Sequence, residues 1–299
     1  MNHRFILSTE STADLPPDML RVRDISVLPY SYSIGTEVFT DDMGQAPGAR
    51  RSFYRLLRKG AMPSTSQVNE YQYTCYFEKL LQQGDVLHLA FSSGLSGSCN
   101  NARLAAEALR EKYPERKLVV IDSLAASVGH GLLTLLAADW RDAGDSIEET
   151  AVRVDENRLR VHHQFLVGDL SWLHRSGRVS GAAAKVGTVL NVCPLLRMND
   201  QGKIIAWQKA HGQKNAVKKL LEAMEVHAEG GRAYSGRCII CHTDDPAAAE
   251  AFRLQVEERF PALAGSVIIC ETGPVIASHT GPGLLGVVFT GDIRSGQPI

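Results

Sequence analysis

Short apolar runs that alternate with helical patterns constrain the fold of the first half of this chain more than any other feature. Four runs are apolar at most consecutive positions, which predicts strands that are buried on both faces. They lie at residues 5–7, 26–29, 86–91 and 118–121. The helical patterns that separate and follow them cover residues 52–59, 69–83, 99–113 and 126–143. This order predicts an α/β domain with a parallel sheet flanked by helices, in which ligands gather beyond the carboxyl ends of the strands.

The second half of the chain has a different pattern. Its predicted elements are a charged helix at 146–161, hairpin arms at 193–200 and 202–210 around a polar turn at 199–202, a helix at 215–229, a strand at 238–243, a helix from residue 246 and a strand at 266–271. They predict an α+β domain with a mixed or antiparallel sheet. We place the boundary within residues 144–165, which divides the chain into domains 1–155 and 156–299.

The charge balance argues against one class of function. The 299 residues include 32 Lys and Arg against 33 Asp and Glu, for a formal net charge of −1. A nucleic-acid-binding protein is expected to carry a basic footprint, so nucleic acid is not a predicted partner. No apolar run approaches the roughly 20 residues of a membrane span. The opening residues MNHRFILSTE lack the pattern of a signal peptide and predict the first strand of a cytoplasmic protein.

Neither the cysteines nor the paired histidines predict a metal site. Six cysteines are scattered along the chain, which favours reduced thiols. Cys238 and Cys241 fall in a strand-like run, and strand residues three apart point to opposite faces, so we interpret them as buried hydrophobic residues. His162 and His163 have no carboxylate at metal-ligand spacing, and we interpret them as surface or helix-end residues.

Four loops rich in hydroxyl groups are the candidates for chemistry. FSSGLSGS (residues 91–98) follows a predicted strand, and its glycines allow a tight turn at the start of a helix. Hydroxyl and helix-start N–H groups there favour an anionic oxygen ligand, although a serine-rich cap without a ligand is an equal alternative. The other loops lie at residues 8–16, 62–69 and 272–286. In the last one, Gly-Pro and Pro-Gly steps predict a rigid turn that holds His279 and Thr280.

Several catalytic motifs are missing from the sequence. It has no GxSxG elbow, no P-loop that ends in Gly-Lys-Ser/Thr and no HExxH. A serine hydrolase that acts on a lipid ester, with Ser93 as nucleophile and His279 as base, is an open alternative. Only Glu10 and Asp122 are candidates for its orienting acid. The glycine-rich loops at helix starts leave a phosphate- or nucleotide-binding module as a third hypothesis.

Seven segments occur in an order that resembles the DegV family and span residues 8–286. They are STESTADLP, PSTSQ, FSSGLSGS, VIDSLAASVGHG, LSWLHRSGRVSG, VLNVCPLLRMNDQGKI and GPVIASHTGPG. The resemblance implies a two-domain α/β protein with a ligand tunnel between or beside the domains, which holds one long-chain fatty acid. Family members serve as the acyl-carrying subunit of bacterial fatty acid kinase, in which a separate ATP-dependent subunit phosphorylates the carboxylate. The resemblance therefore implies a bacterial lipid carrier of phospholipid metabolism rather than a complete enzyme. It implies no cofactor and no metal, and it leaves transient contact with the membrane open.

The resemblance also implies site residues. Those implied to bind the carboxylate are Thr65, Ser64, Ser93, Ser92, Gly94 and His279. Arg178, supported by Arg175, is implied to dock the kinase subunit. The chain departs from the family at Glu10, where Asp is usual, and at Val68, where proline is common. Neither departure removes an implied carboxylate ligand.

The physical demands of a fatty acid fit this set of residues. A buried carboxylate needs several charge-assisted hydrogen bonds, which hydroxyl and imidazole groups can donate. An acyl chain with about 15 methylene-type groups gains on the order of 12 kcal/mol at roughly 0.8 kcal/mol each, before costs. Apolar runs at 126–140, 184–196 and 275–289 could line a tunnel, but they would serve equally as core. We therefore predict no individual tail-lining residue.

Overall fold

The computed structural model describes residues 5–46, 48–179 and 192–296, so the apolar run at 184–196 is described only from residue 192. The strands are β1 (Ile6–Glu10), β2 (Ile25–Leu28), β3 (Ser31–Ile34), β4 (Glu37–Thr40), β5 (Ser64–Ser66), β6 (Val86–Ala90), β7 (Leu118–Asp122), β8 (Val161–Leu166), β9 (Val192–Met198), β10 (Ile204–His211), β11 (Ile239–His242), β12 (Ile268–Glu271) and β13 (Leu285–Thr290). The helices are α1 (Pro17–Val22), α2 (Ala49–Arg58), α3 (Glu70–Leu81), α4 (Ser98–Lys112), α5 (Ser127–Ala143), α6 (Ile147–Asn157), α7 (Ser171–Arg175), α8 (Gln213–His227), α9 (Pro246–Arg259) and α10 (Pro274–Thr280).

The four strands predicted in the first half form one parallel sheet. Its order is β2-β1-β6-β7, and every pairing is parallel. Apolar residues of α3 and α4 cover one face, while α5 covers the other. Because the strands are parallel, the segments that follow β1, β6 and β7 emerge at one edge of the sheet. Two of the predicted hydroxyl-rich loops therefore start at the same edge.

The second half forms a six-stranded mixed sheet in the order β10-β9-β8-β13-β11-β12. Among the described pairings of this sheet, that of β11 with β12 is parallel and the others are antiparallel, and the predicted hairpin is the antiparallel pair of β9 and β10. Its turn is closed by the hydrogen bond from the Asn199 amide to the Lys203 carbonyl. The fold class is thus confirmed: a parallel sheet with flanking helices, followed by a mixed sheet. The boundary within residues 144–165 stays a prediction.

Helix α5 joins the two sheets. It packs against β1 and also against β8, β11 and β13. Two glycines permit this close packing. A Cβ at Gly131 would lie 2.6 Å from the Ala13 carbonyl oxygen, and one at Gly129 would lie 1.9 Å from Nε2 of His163. One hydrophobic cluster consequently contains Leu7 of the first sheet together with apolar residues of the second.

The prediction that His162 and His163 are surface or helix-end residues is wrong. The charged helix ends at Asn157, and after a 3₁₀ turn the chain enters β8, where the two imidazoles are 3% and 5% exposed. The His162 ring stacks on Phe289, at 5.2 Å between ring centroids. Burial lowers the pKa of His162 to about 4 and that of His163 well below its ordinary value, so both are neutral at pH 7.

The buried-thiol interpretation of Cys238 and Cys241 is confirmed. Both side chains are at most 5% exposed, and they pack into different hydrophobic clusters on opposite sides of the mixed sheet. Burial raises the pKa of Cys238 to about 12, which leaves a neutral thiol.

A small third sheet covers α10, and the sequence patterns did not predict it. Its order is β4-β3-β5, with antiparallel pairings. Tyr32 of β3 and Phe53 of α2 pack with Ala277 of α10 in a separate cluster. His279 and Thr280 form the last residues of this helix rather than a rigid turn, because Pro274 starts the helix and Gly281 ends it at a φ of 68°.

Candidate binding site

A cavity of about 900 Å³, counted with the part that opens to solvent, lies among the three sheets. Much of its wall is apolar and is formed by side chains of the mixed sheet and of α10. The apolar lining includes Phe165, Met198, Ile204, Val275, Leu284 and Val288. Polar groups of the predicted loops also line it, and they include Thr65, Ser66, Gln67, Ser96 and His279. Arg178, from the segment after α7, adds a guanidinium group. Such a composition is typical of a ligand pocket with a few orienting polar groups.

Thr65 and His279 meet at this cavity although they are 214 positions apart. Oγ1 of Thr65 lies 2.7 Å from Nε2 of His279, because β5 and α10 pack together. Burial, together with the guanidinium groups of Arg178 and Arg175, lowers the pKa of His279 to about 4. The imidazole is therefore neutral at pH 7 and can hold its proton on either ring nitrogen.

The Thr65–His279 pair offers one spare hydrogen-bond donor in either tautomer. Nδ1 of His279 is buried, and among the described residues it has no hydrogen-bond partner. If Nδ1 carries the proton, the Thr65 hydroxyl donates to Nε2 and the Nδ1–H group remains available. If Nε2 carries it, the imidazole donates to Thr65 and the hydroxyl proton is free. An unsatisfied donor in an apolar cavity is costly unless a ligand accepts from it.

The two predicted docking arginines differ in their surroundings. Arg178 is half-buried, lines the cavity and donates from Nε to the Leu95 carbonyl at 3.3 Å and from Nη1 to the Ser176 carbonyl. Arg175 is exposed, and its guanidinium lies 4.5 Å from the centroid of the Trp172 ring. Arg178 thus connects the α7 segment to the SSGLSG loop at the wall of the cavity.

The other predicted carboxylate-binding residues are close in sequence to residues that line the cavity, but they are not themselves among its lining residues. Ser92 is buried and donates from Oγ to the Gly202 carbonyl at 2.7 Å, while the Gly94 amide donates to Ser92 at 3.2 Å. Ser93 is exposed, and its amide donates to Asp122 at 3.1 Å. Ser64 is exposed next to Thr65. Their roles stay predictions.

Gly94 has a structural reason to be glycine. A Cβ at this position would lie 2.5 Å from the Gln201 carbonyl oxygen, so the SSGLSG loop packs directly on the turn between β9 and β10. The loop therefore contacts the mixed sheet as well as the parallel sheet from which it starts. Within the loop, Ser96 lines the cavity. The sequence did not predict this residue as part of the site.

Gln67 and Tyr30 are further lining residues that sequence reasoning missed. Gln67 belongs to the PSTSQ segment, so the motif already pointed to it. Tyr30 follows the apolar run of β2 and gave no separate signal. Its hydroxyl lies 3.3 Å from that of Tyr73, at the edge of the cavity.

The geometry does not assemble a serine hydrolase triad from the described residues. Nδ1 of His279 faces no carboxylate partner among them, and Nε2 pairs with a threonine. Glu10 accepts from the Phe91 amide at 2.8 Å and from the Tyr73 hydroxyl. Asp122 accepts from the amides of Ser93 and Leu124. Both candidate acids are thus engaged elsewhere.

The three sheets and the cavity among them define an α/β protein with a candidate ligand-binding site. A family model described as "Uncharacterised protein, DegV family" matches residues 5–292, and the chain belongs to the DegV family. A DegV domain-containing protein of Clostridium perfringens is 37% identical over 292 residues, which cover 97% of this chain and 99% of that one.

Solved structures of the family share the fold over nearly the whole chain. A DegV family protein from Thermus thermophilus, described as fatty acid binding, is 30% identical with a TM-score of 0.81, covering 96% of this chain and 99% of that one. A DegV lipid binding protein from Thermotoga maritima is 26% identical with a TM-score of 0.83, covering 98% of this chain and 100% of that one.

Among the residues that the structure describes, no helix is both long and apolar enough to cross a membrane.

Proposed function

We propose that this protein binds one long-chain fatty acid in the cavity and presents its carboxylate to a separate ATP-dependent kinase subunit. The observation that carries the proposal is the Thr65–His279 pair, which has a spare donor at the wall of a largely apolar cavity. The fatty acid binding described for the 30% identical protein from Thermus thermophilus supports the same ligand class.

The carboxylate accepts the spare donor of the Thr65–His279 pair. A carboxylate beside a neutral imidazole also raises the imidazole pKa, so binding at mildly acidic pH draws a proton onto His279. Arg178 adds a positive charge to the same wall. In the proposal the hydroxyl of the exposed Ser93 supplies a further donor, while Ser92 and Gly94 hold the loop in shape, because the Ser92 hydroxyl donates to Gly202 and the Gly94 amide donates to Ser92.

The acyl chain occupies the apolar part of the cavity. Its wall includes Phe165, Val275 and Val288, and predominantly apolar walls of this kind are typical of small-molecule sites. Each buried methylene contributes roughly 0.8 kcal/mol, so a long acyl chain provides most of the binding free energy and the polar pair mainly fixes its direction.

The protein acts as a carrier and the partner performs the phosphoryl transfer. Arg178 at the cavity wall and Arg175 on the surface dock the kinase subunit, because guanidinium groups pair with phosphate and carboxylate in a bidentate manner. Since the partner uses ATP, the proposal places the protein in the cytoplasm, with transient membrane contact during loading of the lipid.

One experiment tests both halves of the proposal. Wild-type protein and Arg178→Ala are loaded with palmitate or oleate, examined by native mass spectrometry and then incubated with the kinase subunit and ATP. We expect one fatty acid per chain in both proteins and a loss of acyl phosphate formation of at least about tenfold in Arg178→Ala. Arg51→Ala, an exposed arginine of α2, is the matched control and should behave as wild type.

Two outcomes contradict the proposal. Wild-type protein that is empty and takes up neither lipid rules out the fatty acid. An Arg178→Ala protein that loses lipid and phosphorylation equally shows that Arg178 maintains the cavity and does not dock the kinase.

A further inference from the structure

Three potential metal ligands converge near the start of β8 and the end of β13, the two central strands of the mixed sheet. They are His162 of β8, His227 at the end of α8 and Asp292, two residues after β13. Nε2 of His162 lies 2.9 Å from Oδ1 of Asp292, and Nδ1 of His227 lies 3.1 Å from Oδ2 of the same carboxylate. All three ligand atoms lie within 4.8 Å of one another.

These separations match the spacing of ligands around one transition-metal ion. With bonds of about 2.1 Å, neighbouring ligand atoms of an octahedron or tetrahedron lie roughly 3.0–3.4 Å apart. Oδ1 of Asp292 lies 2.9 Å from Nε2 of His162 and 3.2 Å from Nδ1 of His227, so both separations from this one oxygen are close to the range. The carbonyl oxygen of Asp292 also lies 3.0 Å from Nε2 of His162 and is a further oxygen on the same side.

The backbone holds the three side chains in place. The Asp292 amide donates to the His227 carbonyl at 3.0 Å, which ties the segment after β13 to the end of α8. The His162 ring lies in a stack, 4.9 Å from the His227 ring and 5.2 Å from the Phe289 ring. These contacts restrict the positions of both imidazoles before an ion binds.

We propose that His162, His227 and Asp292 bind one divalent transition-metal ion of the zinc class. Two imidazole nitrogens and one carboxylate suit zinc, cobalt, nickel or copper better than calcium or magnesium, which prefer oxygen ligands. Asp292 is 58% exposed, so an ion reaches the site from solvent and water completes its coordination.

Binding of the ion would fix the segment that follows β13 to the rest of the domain, an arrangement that we call the clasp. The ion links β8, α8 and the residues after β13 through three side chains from distant parts of the sequence. The site is independent of the proposed fatty acid function, because His162 packs with Phe289 and His227, whereas the adjacent His163 packs against α5 and lines the cavity. Successive strand residues point to opposite faces of the sheet.

Metal titration of the full chain tests the proposal. Protein freed of metal with EDTA is titrated with Co²⁺, followed by visible absorption, and with Zn²⁺, followed by calorimetry and thermal unfolding. We expect one ion per chain, and at least about tenfold weaker binding for His227→Gln and Asp292→Asn, since each removes a direct ligand. His211→Gln, an exposed histidine of β10, is the matched control and should bind within about twofold of wild type.

Circular dichroism confirms that the variants fold before their affinities are compared. Absence of saturable binding in wild type overturns the proposal, as does equal affinity in wild type, His227→Gln and Asp292→Asn. A thiolate-to-cobalt charge-transfer band overturns it too, because the ion would then be held by cysteines. A Zn²⁺-dependent rise in melting temperature that both variants lose supports the clasp.

Discussion

Two buried polar clusters of this protein differ in how completely their hydrogen-bonding groups are satisfied. The first surrounds Glu10 at the end of β1, where the carboxylate accepts from the Phe91 amide, the Tyr73 hydroxyl and, at 3.4 Å, His88. The second is the Thr65–His279 pair, in which one buried nitrogen has no partner among the described residues. Both contain a histidine and a potential proton donor, yet Thr65 and His279 line the cavity, whereas the Glu10 and His88 side chains do not.

The Glu10 cluster is closed by its own residues. Burial by itself raises the pKa of Glu10, but the hydrogen bonds and charge interactions with His88, His130 and Tyr73 outweigh it and leave the pKa below its ordinary value. Nδ1 of His88 is in turn 2.9 Å from the Ser8 hydroxyl. The Phe91 amide, the Tyr73 hydroxyl and the His88 imidazole all direct their polar groups to the carboxylate, so Glu10 has no acceptor position left open to a ligand, and the cluster stabilises the first sheet.

The comparison teaches that burial and an acidic residue do not by themselves mark a site. By charge alone, Glu10 is the better candidate for chemistry, and the hydrolase alternative considered it for that reason. The distinguishing property is an unsatisfied donor beside empty space, which His279 has and Glu10 lacks. Predictions that separate stability from ligand binding therefore test the distinction directly.

The largest expected effect is on folding, from Glu10→Ala. The change leaves the Phe91 amide, the Tyr73 hydroxyl and His88 without their buried acceptor, which should lower the free energy of unfolding by about 3–5 kcal/mol. Urea denaturation at pH 7 measures this, with Glu107→Ala on the exposed side of α4 as control, expected within about 0.5 kcal/mol of wild type. A loss below about 1 kcal/mol would show that the cluster is not structural.

A second effect concerns Asp14, which lies between the two clusters. It accepts from the Gly273 amide at 2.8 Å and from the Ser127 hydroxyl at 2.5 Å, and so ties the β1 loop to the start of the helix that carries His279. Burial raises the pKa of Asp14 to about 7, against an ordinary value of 3.8. The folded chain thus holds a proton between these pH values that the unfolded chain releases.

Stability should consequently fall as pH rises through this window. The contribution of protonated Asp14 is complete below about pH 3.8 and is lost by about pH 7, a difference on the order of 2–4 kcal/mol. Asp14→Asn removes the titration, so the difference in unfolding free energy between wild type and variant should change with pH by that amount. Parallel pH profiles for the two proteins would contradict the raised pKa. Buried His279 contributes the opposite slope, but equally in both proteins.

Much of the fold was predictable because the relevant sequence signals are local. The strands β2, β6 and β7 are short and mostly apolar, and β1 begins with the apolar pair Ile6 and Leu7. The small third sheet gave no such signal. Its strand β5 reads Ser-Thr-Ser, a polar run that becomes a strand only because β3 provides a pairing edge.

The sequence predicted which kind of ligand group the site would bind, but not which side chains would contact each other. Hydroxyl-rich loops at strand ends indicated an anion site, and the resemblance to the DegV family implied Thr65 and His279. Nothing in the spacing of two residues 214 positions apart indicates that they lie 2.7 Å from each other. His162 and His163 show the same limitation, since their burial depends on Phe289 and Gly129 from distant segments.

The smallest effect on stability, and the most specific effect on function, is expected from Thr65→Val. Valine keeps the shape of threonine but removes the hydroxyl. Under the proposed function the carboxylate then loses a charge-assisted hydrogen bond worth about 1.5–3 kcal/mol. The affinity for the fatty acid should therefore fall roughly tenfold or more. Because Thr65 is partly exposed, the free energy of unfolding should change by less than about 0.5 kcal/mol. Displacement of a fluorescent fatty acid measures the affinity, and urea denaturation measures the stability.

Thr40→Val, at an exposed position of β4 in the same small sheet, is the matched control for Thr65→Val. It should leave both the affinity and the stability unchanged. If Thr65→Val instead bound lipid as wild type does but unfolded as easily as Glu10→Ala, the Thr65–His279 pair would be structural like the Glu10 cluster. The contrast between the closed cluster and the open pair would then fail, because the unsatisfied nitrogen of His279 would have no role in ligand binding.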